Sequence, residues 1–229
     1  MKRSSLIIVS LACALFGAVS CQEAYGVYED NEVIPVFEGI VETTQAVNLG
    51  LSVSWAGYNV GAEAPEQVGD YFASRQADPV ADDLTKEGYT FDGTAADPIT
   101  ANWAGTWRMP TKTEVEELAA LPIEKVIYKG QKGYVITGNN GNSIFIPFAG
   151  YKTGGKTHNT GACQFWYNNP ASTTGGELAT FSSALKDVPD PENLDDEGNP
   201  TTKKVLKPVL KTTTTTYPYL GFTLRGVCD

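Results

Sequence analysis

Histidine occurs once in 229 residues, at position 158, and that scarcity removes most imidazole chemistry before any fold is considered. A catalytic triad needs such a base beside its nucleophile, and a structural zinc site draws several His and Cys ligands at short spacing. His158 stands alone in GGKTHNTGA and no Cys-x-x-Cys occurs, so a solvated loop histidine is the simpler reading and no metal or cofactor is expected. Basic residues are also few: 17 Lys and Arg face 27 Asp and Glu, a formal net charge of −10. Nucleic acid and anionic headgroups both reward clustered Lys and Arg, so nucleic acid is excluded as a partner. No apolar run reaches the ~20 residues that span a bilayer.

The N-terminus nevertheless carries an address. Met1, Lys2 and Arg3 precede a mainly apolar run over residues 6–16, followed by Gly17, Ala18, Val19, Ser20 and Cys21. This is the charged, apolar and small-residue order of a secretory signal, too short for a transmembrane helix. Ala18-Val19-Ser20-Cys21 resembles the lipobox of bacterial lipoproteins, with Ala18 where Leu is more usual. Residues 1–20 are therefore expected to leave as a signal peptide, taking Cys13 with them, and Cys21 to be lipidated. Acylation by several chains anchors firmly, because each buried CH₂ contributes about 0.8 kcal/mol and one chain alone is marginal. The expected partner is a membrane, reached through the lipid, and the expected location is the bacterial outer membrane, at the cell surface or its periplasmic face.

Once Cys21 is acylated, Cys163 and Cys228 are the remaining thiols in an oxidising compartment. A disulfide between them is expected if they lie within bridging distance. Residues 21–46 carry six scattered acids and no strong periodicity, which reads as a flexible tether. Residues 47–229 can bury one core and are taken as one domain.

Within that domain VNLGLSVSWAGYNV reads as a strand, and Pro65-Glu66-Gln67-Val68 as a short helical turn ended by Gly69. Residues 76–102 read as an irregular loop. WRMPTKTEVEELAAL is the sharpest local signal: Thr111 and Glu114 have capping-box spacing ahead of Val115 and Leu118, predicting a helix over 112–121. In GYVITGNNGNSIFIPFAGY, Asn-Gly supplies the positive φ of a tight hairpin between two strands. Phe165-Trp166-Tyr167 and residues 177–183, 204–216 and 221–228 are further strand candidates, with DVPDPENLDDEGNPTT as a solvated loop among them. Asn193-x-Asp195-x-Glu197-Gly198 imitates the start of a calcium loop, but its twelfth position is Lys204 where a bidentate Glu is required.

The blocks VNLGLSVSWAGYNVGAEAPEQVGDYFA, WAGTWRMPTKTEVEEL, GNSIFIPFAGY, FWYNNP and GFTLRGVCD resemble, in order and style, the Fibrobacter succinogenes major paralogous domain, a family abundant in lipoproteins and surface proteins of Bacteroidetes-like bacteria. The resemblance covers 47–229. It departs at FWYNNP, where the family more often has Tyr-Trp-Ser-Ser-Thr, and at Tyr58, where Cys is common. Trp107 to Thr111 with Glu114 and Glu117, and Gly221-Phe222 through Arg225, are also similar to the C-type-lectin-like superfamily that includes formylglycine-generating enzymes. The resemblance implies an α+β, C-type-lectin-like domain: paired terminal strands, a small twisted antiparallel sheet, one or two helices and long loops.

The enzymes of that superfamily use two nearby cysteines late in the domain, a pairing Cys163 and Cys228 do not offer in sequence. Glu114, Glu116 and Glu117 have a simpler account as partners of a helix N-terminus, and Arg108 and Arg225 as structural charges. A non-catalytic lipoprotein is therefore expected, displaying a recognition, adhesion or envelope-structural domain. The alternatives are glycan capture for a polysaccharide uptake system, or a pilus or matrix subunit. Trp166, Tyr167, Asn168 and Asn169 form the candidate ligand site, since sugars take an aromatic face plus amide hydrogen bonds, although an aromatic strand in the core has the same appearance. A glycan or a surface protein is the expected ligand.

Overall fold

Apolar, β-branched and aromatic residues are gathered into short runs punctuated by Gly, Asn and Pro, a texture that favours short strands joined by turns. A computed structural model describes residues 26–29, 32–82, 84–92, 95–158, 160–172, 176–215 and 217–229; the leader and Cys21 lie outside the described residues. The elements are β1 Gly26–Glu29, β2 Glu32–Pro35, β3 Ala46–Val47, β4 Ser54–Ala56, α1 Pro98–Asn102, α2 Lys112–Ala119, β5 Ile123–Tyr128, β6 Gln131–Thr137, β7 Ser143–Pro147, β8 Tyr151–Thr153, β9 Lys156–His158, β10 Cys163–Tyr167, β11 Gly176–Leu194, β12 Pro200–Thr215 and β13 Val227–Cys228. Small antiparallel sheets, two helices and long loops make this an α+β or mainly-β arrangement. The sheets are β1-β2, β13-β4-β3, β5-β6-β7, β8-β9 and β10-β11-β12.

The Asn-Gly signal forms its hairpin: Gly141 takes φ +87° and the Gly138 N–H donates to Asn142 O at 2.8 Å, joining β6 to β7. Tyr134, Ile136, Ile144 and Ile146 alternate onto the main core, whereas Val135 and Phe145 face the other way into a separate cluster with Val41, Val126 and Tyr128. The cover on that second face overturns the tether reading for the described part of 21–46. Ile34 and Val41 are buried, Val36 bridges Ile127 in parallel, and the Phe37 and Glu42 N–H groups donate to Ile127 O and Ser143 O at 2.8 and 2.9 Å. Scattered acids hid these few apolar anchors, which are set too far apart to show a period.

Strands β10 and β11 separate two core clusters by the same alternation. Cys163, Phe165, Tyr167, Ala179 and Phe181 face the first, and Trp166 and Leu178 the second, with Phe72, Ile99, Met109, Phe222 and Leu224. The chain's last residues form a seam through both. Phe222 bridges Phe72, Thr223 bridges Phe165, Arg108 bridges Val227, and β13 pairs with β4. Arg225 is fully buried there, its two terminal nitrogens donating to Ala56 O at 2.8 Å and Phe145 O at 2.9 Å.

Helix α2 starts as its spacing predicts. Thr111 Oγ1 accepts the Glu114 N–H and Glu114 Oε2 accepts the Thr111 N–H, the reciprocal cap that satisfies free first-turn donors. The helix ends at Ala119, two residues short of expectation. Arg108 grips Glu114 with both terminal nitrogens, at 2.9 and 2.7 Å, and reaches Asp229 at 3.5 Å, so the helix start is tied to the C-terminus. Burial raises the Glu114 pKa, but the Arg108 guanidinium and the Thr111 N–H outweigh it and hold the carboxyl below its ordinary value. Its contribution is therefore complete above the usual carboxylate range and is lost as pH falls through the lowered value. Glu114→Gln is expected to cost about 2 kcal/mol at pH 7, and urea titrations at stepped pH should show that gap closing below about pH 4.

Two loop readings are refined. Pro65 and Glu66 form a turn without helix, closed by the Gln67 N–H on Ala64 O, and the 76–102 loop contains α1, which Asp97 caps through the Ile99 and Thr100 N–H groups. The larger correction concerns DVPDPENLDDEGNPTT, which continues β11 and β12 as one hairpin. Asp195 sets its turn by accepting the Glu197 and Asn199 N–H groups at 3.0 and 2.8 Å, with Gly198 at φ +83°. These donors, Asn199 first, hold the Asp195 carboxyl below its ordinary value. The carboxylate is thus engaged by the turn. Asp, Pro and Asn read as loop residues locally; cross-strand pairing from Gly176↔Thr215 to Leu194↔Pro200 extended the strands through them.

Candidate functional site

The aromatic block expected to meet a ligand faces inward. Trp166 and Tyr167 are 1% and 4% exposed. Trp166 donates its indole N–H to Phe72 O at 2.7 Å and packs edge-on against Phe222 at 4.8 Å between ring centroids. The Tyr167 hydroxyl donates to Glu177 Oε2 at 3.0 Å, and burial, reinforced by that carboxylate, pushes its pKa up to about 12. Asn168 and Asn169 are half-buried but spoken for: Arg75 donates to Asn168 Oδ1 at 2.8 Å, and Asn169 Oδ1 accepts the Ala171 N–H at 3.1 Å. The four residues build core and turn, and the ligand-site reading for them is withdrawn. Both faces of β10 are covered, so adjacent residues of either parity are buried.

The expected disulfide is also absent. Cys163 and Cys228 are free and buried in different core clusters, on strands of different sheets. The Cys163 thiol donates to Ile146 O at 3.0 Å, and burial raises its pKa well above the ordinary thiol range. Cys228 is raised too, by burial and by the neighbouring Asp229 carboxylate. Neither thiol is activated as a thiolate nucleophile. His158 lies exposed on β9, stacked on Tyr151 at 5.2 Å. Among the described residues no three His, Cys, Asp or Glu side chains converge on a metal site, and no helix is long and apolar enough to cross a membrane.

The described surface offers instead a cleft of about 510 Å³, assembled from four separated segments. Val68 and Tyr71 come from the long loop, Gly130, Gln131 and Lys132 from the β5–β6 turn, Phe148 and Ala149 from the end of β7, and Thr157, Thr160 and Gly161 from β9 and beyond. Its walls are set before any ligand arrives. Tyr71 donates its hydroxyl to Ala149 O at 2.7 Å, and burial raises its pKa against the opposing effects of Thr157 and Lys152. Gln131 Nε2 donates to Lys132 O at 3.1 Å and Phe148 O at 3.4 Å. Lys129 and Gly130 both take positive φ, +47° and +83°, as a tight two-residue hairpin turn requires. Lys129 is held there by Glu66 at 3.4 Å and lies 5.2 Å above the Tyr128 ring.

Thr157 and Thr160 beside the Tyr71 and Phe148 side chains give the cleft a mixed polar and apolar lining. Val68, Tyr71, Phe148 and Ala149 fall within blocks that carry the family resemblance, but none of the four segments carries a ligand-binding motif, so sequence alone did not flag the cleft. Compared with family models, curated proteins and solved structures, the chain finds no match in any of the three.

Proposed function

We propose that this chain is a bacterial lipoprotein, acylated at Cys21, which holds a non-catalytic, lectin-like recognition domain at the outer-membrane surface. The observation that carries this reading is the signal-like leader ending in Ala18-Val19-Ser20-Cys21 directly ahead of a folded domain. The early start of β1 sharpens it. Only four residues separate Cys21 from Gly26, at most about 18 Å of extended chain, so the lipid would keep the domain close to the headgroups. Pairing of β13 with β4 near the domain's start, one two-turn helix and long loops are in keeping with the lectin-like class.

Recognition rather than catalysis is favoured by how the reactive side chains are used. The two described thiols are buried and the Glu114 carboxylate is committed to a helix cap. The cleft beside Tyr71, with its hydroxyl and amide lining, is where a polar ligand would dock. In cell fractionation the full chain should sediment with membranes, and Cys21→Ala should release it to the soluble fraction while leaving the domain folded. A Cys21→Ala protein that stays in the membrane after a carbonate wash would refute the anchor.

A further inference from the structure

Strand β2 extends the β5–β6–β7 layer by one strand, and alternation sorts its side chains between the two faces. Val36 bridges Ile127 in parallel, so Val36 and Ile34 point to the side of Ile127. Val33, Pro35 and Phe37 point to the other side, that of Val126 and Tyr128, where Phe37 packs. The chain then folds back over Phe37. A side chain at Gly39 would strike the Phe37 ring, and Val41 is buried beneath, so Ile40 stands outward on the crest of this cover. Val33 is 45% and Ile40 84% exposed on this side, and Pro35 is exposed with them.

The same edge receives the N-terminus. Gly26 and Pro35 are cross-strand partners, their Cα atoms about 5 Å apart, and four residues join Gly26 to Cys21, at most about 18 Å of chain. A lipid on Cys21 would therefore enter a bilayer within reach of Val33, Pro35 and Ile40. No Lys or Arg occurs between Arg3 and Arg75, and Glu38 is exposed in the turn that carries Ile40. This segment offers a bilayer apolar surface and no polybasic charge.

We propose that Val33, Pro35 and Ile40 seat the domain on the bilayer that holds the Cys21 lipid, with Ile40 entering the boundary between headgroups and acyl chains. The inference rests on the reading of Cys21 as acylated. A bilayer is the occupant favoured over a second copy or another protein, because the short linker holds lipid beside this edge at high effective concentration. The seat adds a second contact to the lipid anchor and fixes which way the rest of the domain faces. Being apolar, it persists at high salt.

The test places the full chain carrying Ile40→Trp in vesicles of phosphatidylcholine brominated on its acyl chains. One sample is the chain as extracted from cell membranes, whose intact mass reports whether Cys21 is acylated. The other carries Cys13→Ser and is coupled through Cys21 to a lipid maleimide, Cys163 and Cys228 being buried. The emission added by Ile40→Trp over the parent should fall about twofold in brominated relative to unbrominated lipid, and adding Val33→Asp should recover most of it. Quenching of the coupled chain when cells attach no lipid would sink the acylation reading and support the seating face. Cell-attached lipid with no quenching in either sample would leave that reading standing and overturn the seat. A dimer in detergent that Ile40→Asp dissociates, again without quenching, would overturn it in favour of a second copy.

Discussion

Arg225→Ala is expected to destabilise the domain by about 4 kcal/mol, a large share of the roughly 5–15 kcal/mol by which native domains are stable. The guanidinium is wholly buried and donates to carbonyls of two different sheets, Ala56 O next to β13 and Phe145 O in β7. Burial lowers its pKa to about 9, so it is charged at neutral pH while paying the desolvation of a cation. Removing it orphans two buried carbonyls and opens a cavity between the β4 and β7 layers. The two losses can be separated. Arg225→Met fills much of the space but leaves the carbonyls unpaired, so it should cost about 2 kcal/mol, with urea unfolding of both variants reading the difference. An Arg225→Ala protein as stable as the parent would show that the seam does not hold the layers together.

Trp166→Ala should cost a further large amount, about 3–5 kcal/mol, and should do so through stability alone. Its ring fills the second core cluster against Phe72, Leu178 and Phe222, and its N–H satisfies Phe72 O in a region sealed from water. The opposing face of the same site is closed by Gly176, where even a methyl group would strike the indole. A binding platform predicts the reverse outcome: unchanged thermal unfolding with lost affinity. Differential scanning fluorimetry of Trp166→Ala beside Trp166→Phe distinguishes the two, since Phe keeps apolar bulk and should recover part of the loss.

Features whose cause is local were legible before the fold was known. Thr111 and Glu114 cap α2 because both partners lie within one turn, and Asn140-Gly141 turns β6 into β7 because only the backbone of that step matters. Features whose cause is tertiary were not. Phe165-Trp166-Tyr167 has the same composition in a buried strand as on a binding surface, and only cover on both faces of β10 decides between them. Cys163 and Cys228 were the right pair to count, but their separation belongs to the packing. One usable sign was present for the N-terminal segment. Ser143-Ile144-Phe145-Ile146 is apolar on both faces, and Phe145 needs a cover that Val41 provides. The far part of the β11–β12 hairpin was hidden for the opposite reason, its Asp, Pro and Asn residues being poor strand formers held in register by the pairing of β11 with β12.

The early start of the domain bears on what the proposed anchor would do. A long tether would let the domain explore the surroundings of the cell; with Cys21 acylated as proposed, the four residues between it and β1 would keep the domain at the bilayer, with net negative charge repelling anionic headgroups. The cleft beside Tyr71 would then act near the membrane plane.

Cys21 is the residue on which the functional account turns, and intact mass spectrometry of the membrane-extracted chain tests it most directly. The account predicts a polypeptide beginning at Cys21, heavier than its sequence by a thioether-linked diacylglyceryl group and returned to the unmodified mass scale by Cys21→Ala. A chain that keeps residues 1–20, or one that begins at or after Cys21 without lipid, would contradict it.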